Sequence, residues 1–282
     1  MQPSQTIVFS HANGFPAGTY AQLFDIWRAA GFTVIAKDKF GHDPHFAVRS
    51  NWSPTRDELL ALIAHEAPDQ RVHLVGHSLG GILSFLAACN KPEIAASVVL
   101  LDSPLIGGWR ARGLQVFKAT GLVNRVSPGK VSQFRRWQWP SAEAAYQHFA
   151  AKSIFKRWHP QVLRDYVTCG VVTDPQGPEG AVKLAFRREV ETRFYNTLPH
   201  HFEALVRRHP PRCPVHFIGG TQSAEMRQAG MQATHNIAKG RIQMIEGSHL
   251  FPMERPQEAA QFVLKALTDT DHAHRPWAHL RH

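Results

Sequence analysis

Short apolar runs rich in β-branched residues alternate with segments of helical spacing, and this alternation restricts the possible fold more than any other feature. The runs are TIVFS (6–10), TVIAKD (33–38), RVHLVGH (71–77), SVVLLD (97–102), PVHFIGG (214–220) and RIQMIEG (241–247). Continuous apolar runs of this length are typical of strands buried on both faces. Helix candidates lie at about 19–30, 54–67, 79–89 and 256–267. Strand followed by helix, repeated, predicts an α/β fold with a mostly parallel sheet.

The second helix candidate carries a start signal, because Ser53 and Pro54 suit an N-cap and a first helical position. The alternation then stops between Pro104 and Pro211, in a segment rich in Trp, Arg and helix-forming residues that contains no clear strand pattern. Since the strand pattern resumes afterwards, we predict a helical cap at 105–210, inserted into a core formed by 1–104 and 211–270. The His-rich end, 271–282, is expected to be a loosely ordered polar tail.

All of the net charge of +10 lies in the inserted segment. Residues 104–210 hold 17 Lys and Arg against 7 Asp and Glu, whereas the rest of the chain holds 15 of each. A nucleic-acid-binding protein usually shows a basic arm or a recognition module, and we find neither, so no nucleic-acid partner is expected. The basic segment would favour an anionic substrate or an anionic membrane surface, or it is only a solvated surface that maintains solubility.

The cysteines and the N-terminus indicate the cellular setting. The three cysteines are odd in number and lack C-x-x-C spacing, which predicts neither a disulfide framework nor a thiolate metal site. The N-terminus lacks the basic start and the apolar stretch of a signal peptide, and no apolar run approaches about 18 residues. We therefore expect a cytoplasmic protein without integral membrane association.

The motif G-H-S-L-G at 76–80 stands between an apolar run and a helix candidate. So sharp a turn strains the backbone of the serine and needs neighbours without side chains, which Gly76 and Gly80 provide. It presents the Ser78 hydroxyl at the carboxyl end of the strand, beside the N–H groups of the next helix. We predict Ser78 as a nucleophile; the alternative is a plain glycine turn with an exposed serine.

A nucleophilic serine needs a base that accepts its proton. His249 follows the last predicted strand in a Gly-Ser loop, so it should lie at the same sheet edge as Ser78. The base needs an orienting carboxylate in turn. Asp102, at the end of SVVLLD, and Glu225, in the loop after PVHFIGG, are both placed at this edge, although Asp102 also suits a simple Asp-Ser-Pro turn.

Acyl transfer also requires hydrogen-bond donors for the developing oxyanion. One candidate is the N–H of Leu79, directly after the nucleophile, and another is that of Asn13, in the loop SHANGFPAG after the first strand. Residues that flank these positions are predicted to contact the substrate: His11, Phe15, His77 and Leu250. The aromatic residues of the insertion could form an apolar acyl pocket, although most are expected to be the cap's own core: Trp109, Trp137, Trp139, Phe149, Phe155, Trp158, Phe194 and Tyr195.

With HANGFP (11–16), GHSLGG (76–81), LLDSPL (100–105) and GSHLFPMERP (247–256) in this order, the sequence resembles the α/β-hydrolase superfamily. The likeness is to its capped branch, which includes esterases, C–C bond hydrolases, haloperoxidase-like enzymes and epoxide or haloalkane hydrolases. It covers about 1–104 and 211–268. Epoxide and haloalkane hydrolases have Asp at the nucleophile position, so Ser78 favours acyl transfer to water.

The chain departs from the usual pattern of this superfamily in two places. Most relatives carry the acid after the next-to-last strand, where this sequence has Ser223; a minority carry it at the position of Asp102, which the resemblance therefore favours over Glu225. Only five residues precede TIVFS, so the opening antiparallel strands are expected to be absent, leaving a sheet of about six parallel strands.

The resemblance implies a hydrolase of carboxylic esters or thioesters that needs no metal and no organic cofactor. Its Ser78, His249 and Asp102 would act on a small acyl substrate, with a preference for anionic ones set by the basic cap. Two alternatives remain at this point. The same residues can serve C–C bond hydrolysis of a diketone-like acid, and the missing acid at Ser223 leaves room for a non-catalytic receptor of a small ligand.

Overall fold

The structure, a computed structural model, describes residues 5–107 and 129–272. A six-stranded, fully parallel sheet in the order β2-β1-β3-β4-β8-β9 forms its centre and confirms the predicted sheet. Its strands are β1 (Thr6–Ser10), β2 (Thr33–Ala36), β3 (Val72–His77), β4 (Ala95–Leu101), β8 (Val215–Gly220) and β9 (Ile242–Ile245).

Helices cover both faces of this sheet, as an α/β-hydrolase fold requires. Those of the core are α1 (Ala21–Ala29), α2 (Ser53–Glu66), α3 (Leu79–Asn90), α9 (Ala224–Ala229), α10 (Gln232–Ala238), α11 (Phe251–Glu254) and α12 (Pro256–His272). The predicted N-cap of α2 is wrong by one residue. Trp52, in the left-handed conformation and without a side-chain cap, precedes the helix, and Ser53 is already helical.

The uninterrupted apolar runs are explained by burial on two sides. In β1, Ile7 and Phe9 belong to one hydrophobic cluster while Val8 between them belongs to the other. Successive side chains of a strand point to opposite faces, so both faces need apolar residues when helices cover each of them. The parallel direction then brings the carboxyl ends of β1, β3, β4, β8 and β9 to one edge of the sheet.

The segment predicted as a cap follows β4 and precedes β8. Its described helices are α4 (Gly129–Phe134), α5 (Ala142–Ala150), α6 (Pro160–Gly170), α7 (Arg188–Asn196) and α8 (Phe202–Arg208). The expectation that it contains no strand is wrong, because β5 (Gln138–Trp139), β6 (Val171–Thr173) and β7 (Val182–Leu184) form a small antiparallel sheet. Strands of two and three residues are too short to produce a recognisable alternation.

The C-terminal helix α12 runs five residues beyond its predicted end and enters the predicted tail; from residue 273 onward that tail lies outside the described residues. Over the ranges 5–107 and 129–272, none of the helices combines the length and the apolarity that a bilayer-spanning helix needs.

Candidate active site

The turn that joins β3 to α3 is strained at one residue. Ser78 has φ 53° and ψ −115°, a conformation that residues with side chains rarely adopt, and its N–H donates to the carbonyl of Leu101 on β4. A Cβ on Gly76 would lie 2.2 Å from the carbonyl carbon of Gly80, and one on Gly80 would lie 1.9 Å from the carbonyl oxygen of Ser10. The two glycines therefore allow β1, β3 and α3 to approach closely enough to present Ser78 at the sheet edge.

Replacing Gly80 with alanine should destabilise the fold by about 3 kcal/mol or more, because the new methyl group would meet backbone atoms that cannot move independently. Gly31→Ala is the matched control: its Cβ meets nothing within 4 Å, so it adds only the backbone strain of φ +92°, about 1–2 kcal/mol. Urea unfolding of both variants measures the difference. Equal losses would contradict the close approach at Gly80.

The structure brings the three predicted residues Ser78, His249 and Asp102 together at this edge. The Oγ of Ser78 lies 3.0 Å from His249 Nε2, and His249 Nδ1 lies 2.9 Å from Asp102 Oδ1. A carboxylate can only accept, so Nδ1 carries the proton and Nε2 is left to accept the hydrogen of Ser78. In this tautomer the imidazole can act as a general base toward the serine hydroxyl.

Asp102 is fully buried, and three donors converge on its carboxylate. Gly220 N–H donates to Oδ2 at 2.7 Å, while Oδ1 accepts from Ser223 Oγ at 2.6 Å in addition to His249 Nδ1. Ser223, at the position where most relatives carry the acid, thus donates to Asp102, which directly follows β4. The role of Ser223 could not be read from the sequence, because its partner is 121 residues away.

Glu225, the alternative acid, lies farther from the imidazole. Its Oε2 is 3.9 Å from His249 Nδ1, and its side chain is 48% exposed, against 0% for Asp102. A distance of 3.9 Å exceeds that of a hydrogen bond, so Glu225 acts on His249 through its charge alone. The geometry for orienting the ring belongs to Asp102.

The surroundings of His249 favour its protonated form. Burial lowers the pKa of His249, but the hydrogen bond and the charge of Asp102, with a contribution from the charge of Glu225, more than offset this effect. The pKa of His249 is therefore raised above its ordinary value of 6.5.

A reaction that needs neutral His249 as a base should gain rate as the pH rises, with a midpoint of kcat/KM above 6.5. Glu225→Gln removes a negative charge near the imidazole, so it should shift this midpoint to lower pH by about a few tenths of a pH unit. Glu66→Gln, at the exposed end of α2, serves as the control and should leave it in place. A midpoint below 6.5 in the unmodified protein would contradict the raised pKa.

The predicted oxyanion donors are the backbone N–H groups of Leu79 and Asn13. Leu79 begins α3, and the N–H of a first helical residue has no acceptor within its helix. Asn13 is buried in the loop after β1, and its side-chain amide nitrogen donates to the Glu191 carbonyl at 3.0 Å. The backbone N–H of Asn13, for which no acceptor is found among the described residues, is the donor available to an oxyanion.

Two of the four predicted substrate contacts, His11 and His77, need correction. Both side chains are 0% exposed. His11 Nε2 accepts from Phe40 N–H at 2.9 Å and its Nδ1–H donates to the Ala12 carbonyl, and burial lowers its pKa to about 4, so it holds the loop as a neutral imidazole. Both ring nitrogens of His77 are likewise occupied within the protein.

The other two predicted contacts differ in exposure. Phe15 is half-buried, and its ring lies 5.5 Å from the rings of Trp158 and Tyr166 in the inserted segment. Leu250 is 6% exposed beside His249. Phe15 therefore lies where the loop after β1 meets the inserted segment, and it remains a predicted substrate contact, as does Leu250.

Most aromatic residues of the insertion are packed as a core, in line with the expectation from the sequence. Five of the eight singled out are buried: Trp139, Phe149, Phe155, Trp158 and Phe194. Trp137 and Tyr195 are half-buried, and Trp109 lies outside the described residues. Among the described residues, no three His, Cys, Asp or Glu side chains are grouped as metal ligands would be.

The chain belongs to the alpha/beta hydrolase family, whose model matches residues 7–262. It is 33% identical over 132 residues to the monoglyceride lipase of Mus musculus, a match that covers 45% of this chain and 44% of that enzyme. It is 26% identical over 246 residues to ethanol acetyltransferase 1 of Eremothecium cymbalariae, with 82% and 65% coverage. The chain thus spans less than two thirds of the length of either curated relative.

Solved structures show the same fold at low sequence identity. The thioesterase domain from the curacin biosynthetic pathway superposes with a TM-score of 0.68 at 16% identity, covering 93% of this chain and 91% of that domain. The identification of the fold class is therefore confirmed from both sequence and structure.

Proposed function

We propose that this protein is a serine hydrolase of carboxylic esters or thioesters that works through an acyl-enzyme. The observation that carries the proposal is the hydrogen-bonded chain from Ser78 Oγ through His249 to the buried Asp102, with distances of 3.0 and 2.9 Å. A serine beside a base that a buried acid orients is an arrangement that activates a hydroxyl at neutral pH. The strained turn at Ser78 and the helix N-terminus that follows it at Leu79 support the same assignment.

In the proposed reaction, His249 Nε2 takes the proton of Ser78 as Oγ attacks the acyl carbonyl. The N–H groups of Leu79 and Asn13 stabilise the negative charge on the tetrahedral intermediate, each worth about 3–4 kcal/mol. His249 then gives the proton to the departing alcohol or thiol, which leaves the acyl group on Ser78. Water, deprotonated by the same Nε2, then attacks the acyl carbon, and the bond to Oγ breaks as Nε2 returns the proton to Ser78. The acid is released, and Asp102 stabilises the imidazolium whenever it forms.

The alternative of a non-catalytic receptor was motivated by the missing acid at Ser223. Asp102 reaches His249 and receives a hydrogen bond from Ser223 itself, which removes that motivation and supports catalysis. The names of the curated relatives, a lipase and an acetyltransferase, support chemistry at an acyl carbonyl. An acyl-enzyme would suit either kind of reaction, because water or an alcohol can accept its acyl group.

A partitioning experiment tests the acyl-enzyme. Two esters with one acyl group and different leaving groups are hydrolysed in the presence of a fixed concentration of ethanol, and the ratio of ethyl ester to free acid is measured. A shared intermediate requires the same ratio from both substrates, because the leaving group has gone before the acceptor arrives. Ratios that depend on the leaving group would contradict an acyl-enzyme.

The substrate is further proposed to be anionic, because the inserted segment carries all of the net positive charge. Field lines from such a segment raise the local concentration and the association rate of anions. The kcat/KM of a carboxylate-bearing ester should therefore fall with added salt, whereas that of its neutral amide analogue should not. Equal salt dependence of the two substrates would contradict charge steering.

A further inference from the structure

Behind Ser78, a second hydrogen-bonded chain runs through Tyr20 and His77. Ala12 N–H donates to Tyr20 Oη at 3.1 Å, Tyr20 Oη lies 2.7 Å from His77 Nδ1, and His77 Nε2 lies 2.9 Å from the His249 carbonyl oxygen. Both side chains are 0% exposed. The reaction proposed above uses neither of them.

The two ends of this chain fix the direction of every bond in it. The His249 carbonyl can only accept, so His77 Nε2 carries the proton and a neutral His77 has an accepting Nδ1. Tyr20 must then donate its hydroxyl hydrogen to Nδ1, which leaves its oxygen to accept from Ala12 N–H. Burial lowers the pKa of His77 to about 3 and raises the pKa of Tyr20, so neither group changes charge near neutral pH.

This hydrogen-bonded chain joins the three loops that form the site. Ala12 immediately precedes Asn13, His77 immediately precedes Ser78, and the accepting carbonyl belongs to His249 itself. We propose that Tyr20 and His77 are positioning residues that hold the backbone of Asn13 and His249 in place relative to Ser78. This inference rests on the function proposed above, in which those residues supply the oxyanion donor and the base.

Positioning matters because the reaction tolerates little displacement of its reacting groups. Ser78 is fixed by its own strained turn, whereas Asn13 and His249 lie in loops between a strand and the next helix. A displacement of about 1 Å of a reacting group can cost on the order of 100-fold in rate. Hydrogen bonds that are buried and fully paired keep such loops in one arrangement, because each broken bond would leave an unsatisfied polar group.

The test compares Tyr20→Phe with Ser97→Ala. Ser97 Oγ on β4 is 2.7 Å from Nδ1 of His73, which lies at the opposite end of β3 from His77. Both residues of this pair are buried, so the control removes a comparable hydrogen bond away from the site. Tyr20→Phe should lower kcat by about 10- to 100-fold with KM changed less than about 2-fold. Ser97→Ala should leave kcat unchanged, although its free energy of unfolding, measured in urea, should fall by a similar amount.

If Tyr20→Phe has an unchanged kcat and loses as much stability as Ser97→Ala, the inference is overturned. The hydrogen bonds of Tyr20 and His77 would then be structural only. Should Tyr20→Phe fail to fold, His77→Gln is compared with His73→Gln, since both histidines lie on β3. A loss of kcat is then expected for His77→Gln only.

The rate of phosphonate labelling of Ser78 is measured beside kcat. An unreactive Ser78 in the unmodified protein overturns the proposed function itself, whereas a reactive Ser78 with equal rates in Tyr20→Phe overturns only the positioning role.

Discussion

Ser78→Ala is expected to lower kcat/KM for ester hydrolysis by at least about 10⁴-fold while the protein remains folded. Without Oγ no acyl-enzyme can form, and the remaining N–H donors can only polarise the carbonyl toward attack by water. The turn already accommodates a Cβ at φ 53°, so alanine adds no new steric conflict.

Ser84→Ala is the matched control for this variant. Ser84 is buried on α3, six residues after Ser78, and its Oγ has no hydrogen-bond partner among the described residues. This substitution likewise removes a serine Oγ, within the helix that follows Ser78, and should leave kcat/KM within about 2-fold. Activity of Ser78→Ala equal to that of Ser84→Ala would remove Ser78 from the reaction.

Asp102→Asn is expected to have the second largest effect, a loss of about 10³- to 10⁴-fold in kcat. Three donors converge on this carboxylate, from Gly220, Ser223 and His249. An amide offers one accepting oxygen and one donating nitrogen, so a donor would face a donor in a fully buried place. The imidazole would then turn or adopt the tautomer in which Nε2 carries the proton and cannot accept that of Ser78.

Glu225→Gln is the direct comparison for Asp102→Asn. Its side chain is half-exposed and 3.9 Å from the imidazole, so its loss should change kcat by less than about 5-fold at a pH above the midpoint. Steady-state kinetics of both variants, with circular dichroism to establish folding, provides the measurement. The reverse pattern would assign the orienting carboxylate to Glu225.

The six strands of the sheet and the position of the nucleophile could be predicted because both have local signals. Buried parallel strands need apolar side chains on both faces, and the sharp turn needs Gly76 and Gly80 at fixed offsets from Ser78. The six predicted strands all occur, with ends that differ by up to two residues. β2 and β9 each stop two residues before the predicted end, where the charged residues Lys37 and Glu246 follow, and β4 begins two residues earlier than predicted.

The partners of the polar side chains could not be predicted, because they are distant in sequence. Ser223 and Asp102 are 121 residues apart, and Tyr20 and His77 are 57 apart. His77 was therefore predicted to contact the substrate from its position beside Ser78 alone. His77 becomes buried, and forms its hydrogen bond with Tyr20, only when the strands and helices pack together.

Intact mass after exposure to a small organophosphonate tests whether Ser78 is an activated nucleophile. We expect one adduct on the unmodified protein and none on Ser78→Ala, because phosphonylation requires both the base at His249 and the donors at Leu79 and Asn13. A folded, unmodified protein that gains no adduct, or an adduct that persists in Ser78→Ala, would show that Ser78 is not such a nucleophile.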